Sequence, residues 1–284
     1  MKLYAQSTIR ELRDRYGFRF SKSLGQNFLT DKNIIDEIIA GSEIAPGDLV
    51  IEIGPGIGVI TREAAKIAHK VIAIEIDSNL IPILGETLGD LENVEIINQD
   101  VLKSQINDLI AQEEFQGRVR VIGNLPYYIT TPIIMKLLEE RVRADSITVM
   151  MQKEVADRLK AGPGTKDFGA ISLMVQYFAE VREIVRVPKA VFVPQPKVDS
   201  AVLRLDVRKE KPVEVKDEEF LFKVIKAGFG QRRKTLANAL STLDGYDKSA
   251  ITAALAEAGI DPTRRGETLS LEEFARLSDV LCER

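Results

Sequence analysis

Glu52-Ile53-Gly54-Pro55-Gly56-Ile57-Gly58 decides the fold of this 284-residue chain. It follows the apolar, β-branched run 49–53 and opens a segment of helical spacing, so it reads as a strand-to-helix turn. Glycines let such a turn close tightly and let a ligand approach the backbone where a Cβ would stand in the way. The dinucleotide fingerprint G-x-G-x-x-G wants its third glycine at position 59, which is Val59; the spacing here is G-x-G-x-G.

Working outward, short β-branched runs recur at 49–53, 71–76, 94–98, 118–123, 146–151, 179–187 and 201–207, with helical patterns between them. This alternation predicts an α/β fold with a seven-stranded, mostly parallel sheet, and continuous apolar runs suit strands covered on both faces. Only the proline-rich stretch 188–196 separates the last two runs, which are therefore expected to pair antiparallel at one edge. Ahead of the first strand, Asp31 reads as an N-cap, Ile34, Ile35, Ile38 and Ile39 follow at helical spacing, and Gly41 marks the expected stop. After Arg208 the pattern changes: Lys209-Glu210-Lys211-Pro212 reads as a linker and the rest as helices over 218–229, 232–240, 247–258 and from the capping box Ser270-Leu271-Glu272-Glu273 to 281. Two domains are expected, 1–208 and a small all-α domain 209–284, with 1–32 as a basic segment and covering loop.

Ligands in such sheets bind outside the carboxyl ends of the strands, so residues there are the site candidates. The glycine loop with an acid two residues upstream is the pattern of methyltransferases that bind S-adenosylmethionine. Glu75 ends the second strand, placed to accept both hydroxyls of a ribose. Asp100 follows the third, placed for an adenine amino group. Asn124-Leu125-Pro126-Tyr127 follows the fourth and faces the same crevice; taken alone, it could equally be a plain proline turn. An adenine N6 lone pair is delocalised into the ring and is a poor nucleophile. The Asn124 side chain and the Leu125 carbonyl could bind both N6 hydrogens, favouring the pyramidal nitrogen of the transition state. Tyr127 would stack on the flipped base, and Phe192, in the proline-set loop 192–198, could offer a second stacking face. Gln26-Asn27-Phe28-Leu29 could fold over the cofactor's methionine end.

Composition removes much other chemistry. Cys282 and His69 are each the only residue of their kind, so there is no disulfide framework, no Ser-His-Asp relay and no metal site of histidine and thiolate ligands. His69 reads as structural. No apolar run reaches the ~20 residues of a membrane span, and residues 1–20 lack the apolar core of a signal peptide, so a cytoplasmic protein is expected. The net charge of −4 argues at first against nucleic acid. Yet residues 1–32 hold seven Lys and Arg against three acids, and 141–204 hold eleven against seven, while 33–140 hold seven against eighteen. An acidic half suited to a cationic cofactor is thus flanked by basic stretches suited to phosphates; solvated charged faces are the bland alternative.

Together these residues resemble the ribosomal-RNA adenine dimethyltransferase family. The motifs are SLGQNFL at 23–29, EIGPGIG at 52–58, AIEID at 73–77, QDVL at 99–102, NLPYYI at 124–129 and FVPQPKVDSAVLRL at 192–205. The resemblance implies a Rossmann-like class I methyltransferase fold. It implies S-adenosylmethionine on Asn27, Leu29, Gly54, Gly56, Glu75, Asp100 and Asn124, and the target base on Asn124, Leu125, Pro126, Tyr127 and Phe192. Lys22, Lys153, Lys197, Arg232, Arg233 and Lys234 are the cations expected to meet RNA, and no metal is implied. The tail motifs FGQRRKTL at 229–236 and RGETLSLEEF at 265–274 look like the branch that dimethylates two adjacent adenosines in the 3′-terminal hairpin of small-subunit rRNA during assembly, as a monomer. The alternatives are the large-subunit branch of macrolide resistance, a binding factor on the same fold, or a DNA adenine methyltransferase.

Overall fold

The computed structural model describes residues 1–21, 24–113 and 115–284. Lys22, expected to meet RNA, and Ser23, which opens the 23–29 motif, lie outside the described residues. In chain order the elements are α1 (Gln6–Tyr16), β1 (Phe28–Leu29), α2 (Lys32–Ser42), β2 (Leu49–Ile53), α3 (Val59–Ala65), β3 (Lys70–Glu75), α4 (Ile81–Leu88), β4 (Val94–Asn98), α5 (Ile106–Gln112), β5 (Val119–Asn124) and α6 (Thr130–Glu139). They continue with β6 (Ser146–Gln152), α7 (Lys153–Lys160), α8 (Ala170–Phe178), β7 (Ala179–Val187), β8 (Phe192–Val193), β9 (Ser200–Val207), α9 (Glu218–Gly230), α10 (Leu236–Leu240), α11 (Lys248–Glu257) and α12 (Leu271–Cys282).

Seven strands form one sheet in the order β4-β3-β2-β5-β6-β9-β7. The pairs β4–β3, β3–β2, β2–β5 and β5–β6 are parallel. The last two strands neighbour each other at one edge of the sheet, as expected. β9 inserts between β6 and β7 and runs antiparallel to β6, Ser200 opposite Gln152. Strand order reverses between β2 and β5, and at such a switch point the connections diverge to leave a crevice. Every residue of β2 is buried, as its apolar run requires, and Glu52 is the one charged side chain among them.

Asp31 caps α2 as expected, its Oδ1 accepting from the Asn33 and Ile34 amides. The helix does not stop at Gly41 but runs to Ser42, with Glu43 in the left-handed conformation. Gly41 serves packing: a Cβ there would lie 2.5 Å from Ile184 Cγ2 of β7. Arg120 and Asp48 form a buried ion pair, Nε to Oδ2 3.0 Å, and Ser146 Oγ accepts from the same guanidinium at 3.0 Å.

The chain divides into two compact units, Met1–Ala156 with Val181–Val207, and Asp157–Glu180 with Arg208–Arg284. The division expected at 208/209 therefore needs correction, because Asp157–Glu180 packs with the C-terminal helices. Phe168 lies edge-on to Phe229, with centroids 5.7 Å apart, and Tyr177 likewise to Phe222 at 5.1 Å. The helix expected over 232–240 is also shorter. Residues 231–234 form a turn, Lys234 N donating to Gln231 O, and α10 begins at Leu236. No helix among the described residues is long and apolar enough to cross a membrane.

Candidate active site

A cavity open to solvent lies at the carboxyl ends of β2, β3, β4 and β5. The residues after each strand line it, together with Leu24–Leu29 from the segment ahead of α2. Of the residues expected at the cofactor, Asn27, Leu29, Gly54, Gly56, Glu75, Asp100 and Asn124 all line this one cavity, as do Leu125, Pro126 and Tyr127 from the proposed base site.

The floor is the glycine loop. Gly54 and Gly56 have φ of +70° and +62°, a region where L side chains are strained. A Cβ on Gly56 would also lie 2.9 Å from Phe28 Cε1. Glu75 is 5% exposed. Its Oε1 accepts from the Asp77 amide at 2.8 Å and its Oε2 from the Gly56 amide at 3.3 Å. Burial pushes this carboxyl above the usual range, and the two amides pull it back towards ionisation. Asp100 Oδ1 accepts from the Leu102 amide at 3.0 Å, and its Oδ2 lies 3.9 Å from Lys103 Nζ.

In the sequence Glu52 stands out only as the acid before the glycines. It is 1% exposed, lines the cavity, and its Oε2 finds no hydrogen-bond partner among the described residues. Burial pushes its pKa up to about 8, the nearby Thr61 hydroxyl pulls against the rise, and the Glu75 charge adds to it. A buried carboxyl without a partner is costly and suits a cationic group arriving from the cavity. The orphaned Glu52 oxygen, the glycine cradle and the Glu75 carboxylate together fit S-adenosylmethionine, whose methionine end is cationic and whose ribose offers two hydroxyls.

The base side of the cavity is held equally firmly. Asn124 Nδ2 donates to the Asn27 backbone carbonyl at 3.0 Å, so its Oδ1 is left as the acceptor. Leu125 is 2% exposed. The Pro126 carbonyl accepts from the Ile129 amide and Thr130 Oγ1, both at 3.0 Å, and closes the turn onto α6. Tyr127 is half-buried, its hydroxyl 2.6 Å from Ser200 Oγ. Gln26 bridges the covering segment to the floor, Nε2 donating to Asp77 Oδ2 at 2.6 Å. Neither of the last two contacts has a local sequence signal, because each joins segments far apart in the chain.

One expected role needs correction. Phe192 does not line the cavity: it is 3% exposed, stands opposite Leu29 in the two-stranded β1–β8 sheet and belongs to the core beneath α1 and α2. Arg232, expected to meet RNA, is exposed and bonds within its own unit. Its guanidinium bonds Glu267 Oε2 at 3.1 Å, the Phe168 carbonyl at 3.1 Å and the Lys166 carbonyl. Lys153 and Lys197 are exposed in the first unit, Arg233 and Lys234 in the second. His69 stacks on Phe115, ring centroids 5.9 Å apart, away from the cavity lining. No cluster able to hold a metal ion occurs among the described residues.

A family model described as ribosomal RNA adenine dimethylase matches residues 17–283. Ribosomal RNA small subunit methyltransferase A of Clostridioides difficile (strain 630) is 54% identical over 280 residues, covering 99% of this chain and 97% of its own length. The protein of the same name from Bacillus mycoides (strain KBAB4) is 53% identical over 276 residues, covering 96% and 94%. Among solved structures, a dimethyladenosine transferase from Plasmodium falciparum matches with a TM-score of 0.75 at 25% identity, covering 88% of this chain and 95% of that one. The 23S rRNA methyltransferase ErmE matches with a TM-score of 0.67 at 29% identity, covering 90% and 99%.

Proposed function

The chain belongs to the ribosomal RNA adenine dimethylase family, and from that premise we propose that it dimethylates N6 of two adjacent adenosines in the 3′-terminal hairpin of small-subunit rRNA. The observation that carries the chemistry is the Asn124 amide, whose Nδ2 is bonded to the Asn27 carbonyl and whose Oδ1 is thereby left as an acceptor, in the lining of the cavity shared by Glu52, Gly54, Gly56 and Glu75. The relatives that are 53–54% identical over nearly the whole chain carry the small-subunit name, whereas ErmE, named for 23S rRNA, is 29% identical; this favours the small subunit.

S-adenosylmethionine, when bound, supplies an electrophilic methyl group. The chain's own residues prepare the acceptor. Asn124 Oδ1 and the Leu125 carbonyl accept the two N6 hydrogens, drawing the amine from planar towards pyramidal and localising its lone pair. Tyr127 stacks on the base once it has swung out of the RNA. Glu75 holds the cofactor's ribose, and Glu52 answers the positive charge of its methionine end. The amine that leaves the first transfer is cationic and acidic, so it sheds its proton to water and needs no histidine base.

Arg233, Lys234, Lys153 and Lys197 meet phosphates, which position the RNA without reading its sequence. The protein acts as a monomer in the cytoplasm, on the assembling small subunit. Purified protein should move labelled methyl from S-adenosylmethionine onto undermethylated small subunits and yield N6,N6-dimethyladenosine. Label confined to large-subunit RNA would reject the substrate assignment; label on duplex DNA would reject the RNA assignment.

A further inference from the structure

We infer that Ser200 is a positioning residue, fixing the ring plane of Tyr127 so that the target base meets a preset stacking face. This rests on the reading of Tyr127 as the base platform. Ser200 opens β9, where it is fully buried and followed by Ala201, Val202 and Leu203, each at most 1% exposed. A hydroxyl in such a strand needs a partner. Among the described residues it has one, the Tyr127 hydroxyl, with 2.6 Å between the oxygens.

The ring is held at both ends. At the backbone end, the turn that carries it is closed by the two bonds to the Pro126 carbonyl. At the far end, the phenol oxygen is fixed to β9, the antiparallel strand that the topology sets beside β6. With its para oxygen pinned, a tyrosine loses most of its freedom about χ1 and χ2, so a stacking base need not order it. Burial pushes the phenol above its usual pKa, the Ser200 bond pulls it back in part, and the Asp199 carboxylate adds to the rise. The sheet thus reaches into the base site from a strand that contributes no residue to the cavity wall.

The inference separates the hydroxyl of Tyr127 from its ring, and so does the test. Single-turnover methylation is measured for Tyr127→Phe, Ser200→Ala, the double variant and Tyr127→Ala, each checked for cofactor affinity by calorimetry. Tyr127→Phe and Ser200→Ala should each lower the rate about tenfold, the worth of one well-placed hydrogen bond, with cofactor affinity unchanged. The double variant should be no slower than the slower single one, because both remove the same contact. A hairpin carrying 2-aminopurine at the target position should show weaker quenching on all three than on the parent protein. Tyr127→Phe leaves Ser200 and the strand in place, so it reports on positioning even if Ser200→Ala folds poorly. Tyr127→Phe at the parent rate, beside an inactive Tyr127→Ala, overturns the positioning role and leaves the platform standing. Losses that multiply in the double variant also overturn it. Tyr127→Ala at the parent rate rejects the platform itself, and the inference with it.

Discussion

At the residue scale, the site depends on a few side chains whose surroundings leave them one task. Asn124→Ala removes an acceptor that matters most in the transition state. It should lower single-turnover methylation by about 10²–10³-fold, as loss of a comparable preorganised partner does elsewhere, with RNA affinity nearly unchanged in a filter-binding assay. Gly56→Ala forces a left-handed residue with a Cβ into Phe28, so cofactor affinity measured by calorimetry should fall while the fold survives. Glu52 makes stability depend on pH. Its pKa rises from an ordinary 4.5 to about 8 on folding, so between these values the folded chain keeps a proton that the unfolded chain releases. Stability from this group is complete below pH 4.5 and is lost as pH rises through 8. Denaturation midpoints of the cofactor-free protein should therefore fall across that window, and the fall should flatten in Glu52→Gln. The glycine loop, Glu75, Asp100 and Asn124 were legible in the sequence because each stands at a strand end. The condition of Glu52 was not, since a partnerless oxygen is a fact about neighbours contributed by other strands.

At the scale of elements, the strands were the most legible. Runs such as Leu49–Ile53 and Val94–Asn98 have observed limits that match those read from the sequence. Leu49–Ile53, inside the sheet, is buried throughout as its apolar run requires, whereas Val94–Asn98, at the edge, is only partly buried. Where a distant partner decides, local pattern misleads. Gly41 has the signature of a helix stop, yet α2 runs one residue past it, and its missing Cβ leaves room for Ile184. Phe192 sits in a loop by sequence, yet pairing with Leu29 buries it. Two tests belong here. Asp31→Ala should cost about 1 kcal/mol in chemical denaturation by uncapping α2. Asp48→Ala should cost more, about 3–5 kcal/mol, since it leaves the Arg120 guanidinium buried and unpaired between β2 and β5.

On the scale of the whole molecule, the separate duties of neighbouring cations become measurable. Arg233 and Lys234 are exposed, and removing either should reduce the slope of log RNA affinity against log salt by about one. Arg232→Ala should leave that slope nearly unchanged and instead cost about 1 kcal/mol of stability, since its half-exposed guanidinium clips the 166–168 backbone to the C-terminal helices. That clip belongs to a unit whose first part, Asp157–Glu180, is made well before its second, Arg208–Arg284. Synthesis adds ~5–20 residues per second. On the ribosome, the rings of Phe168 and Tyr177 therefore emerge seconds before Phe222 and Phe229 exist to cover them, and Phe274, which stacks on Phe229, comes later still. During each round of translation this chain shows its unfinished aromatic core to the surroundings, an interval in which a chaperone has something to hold.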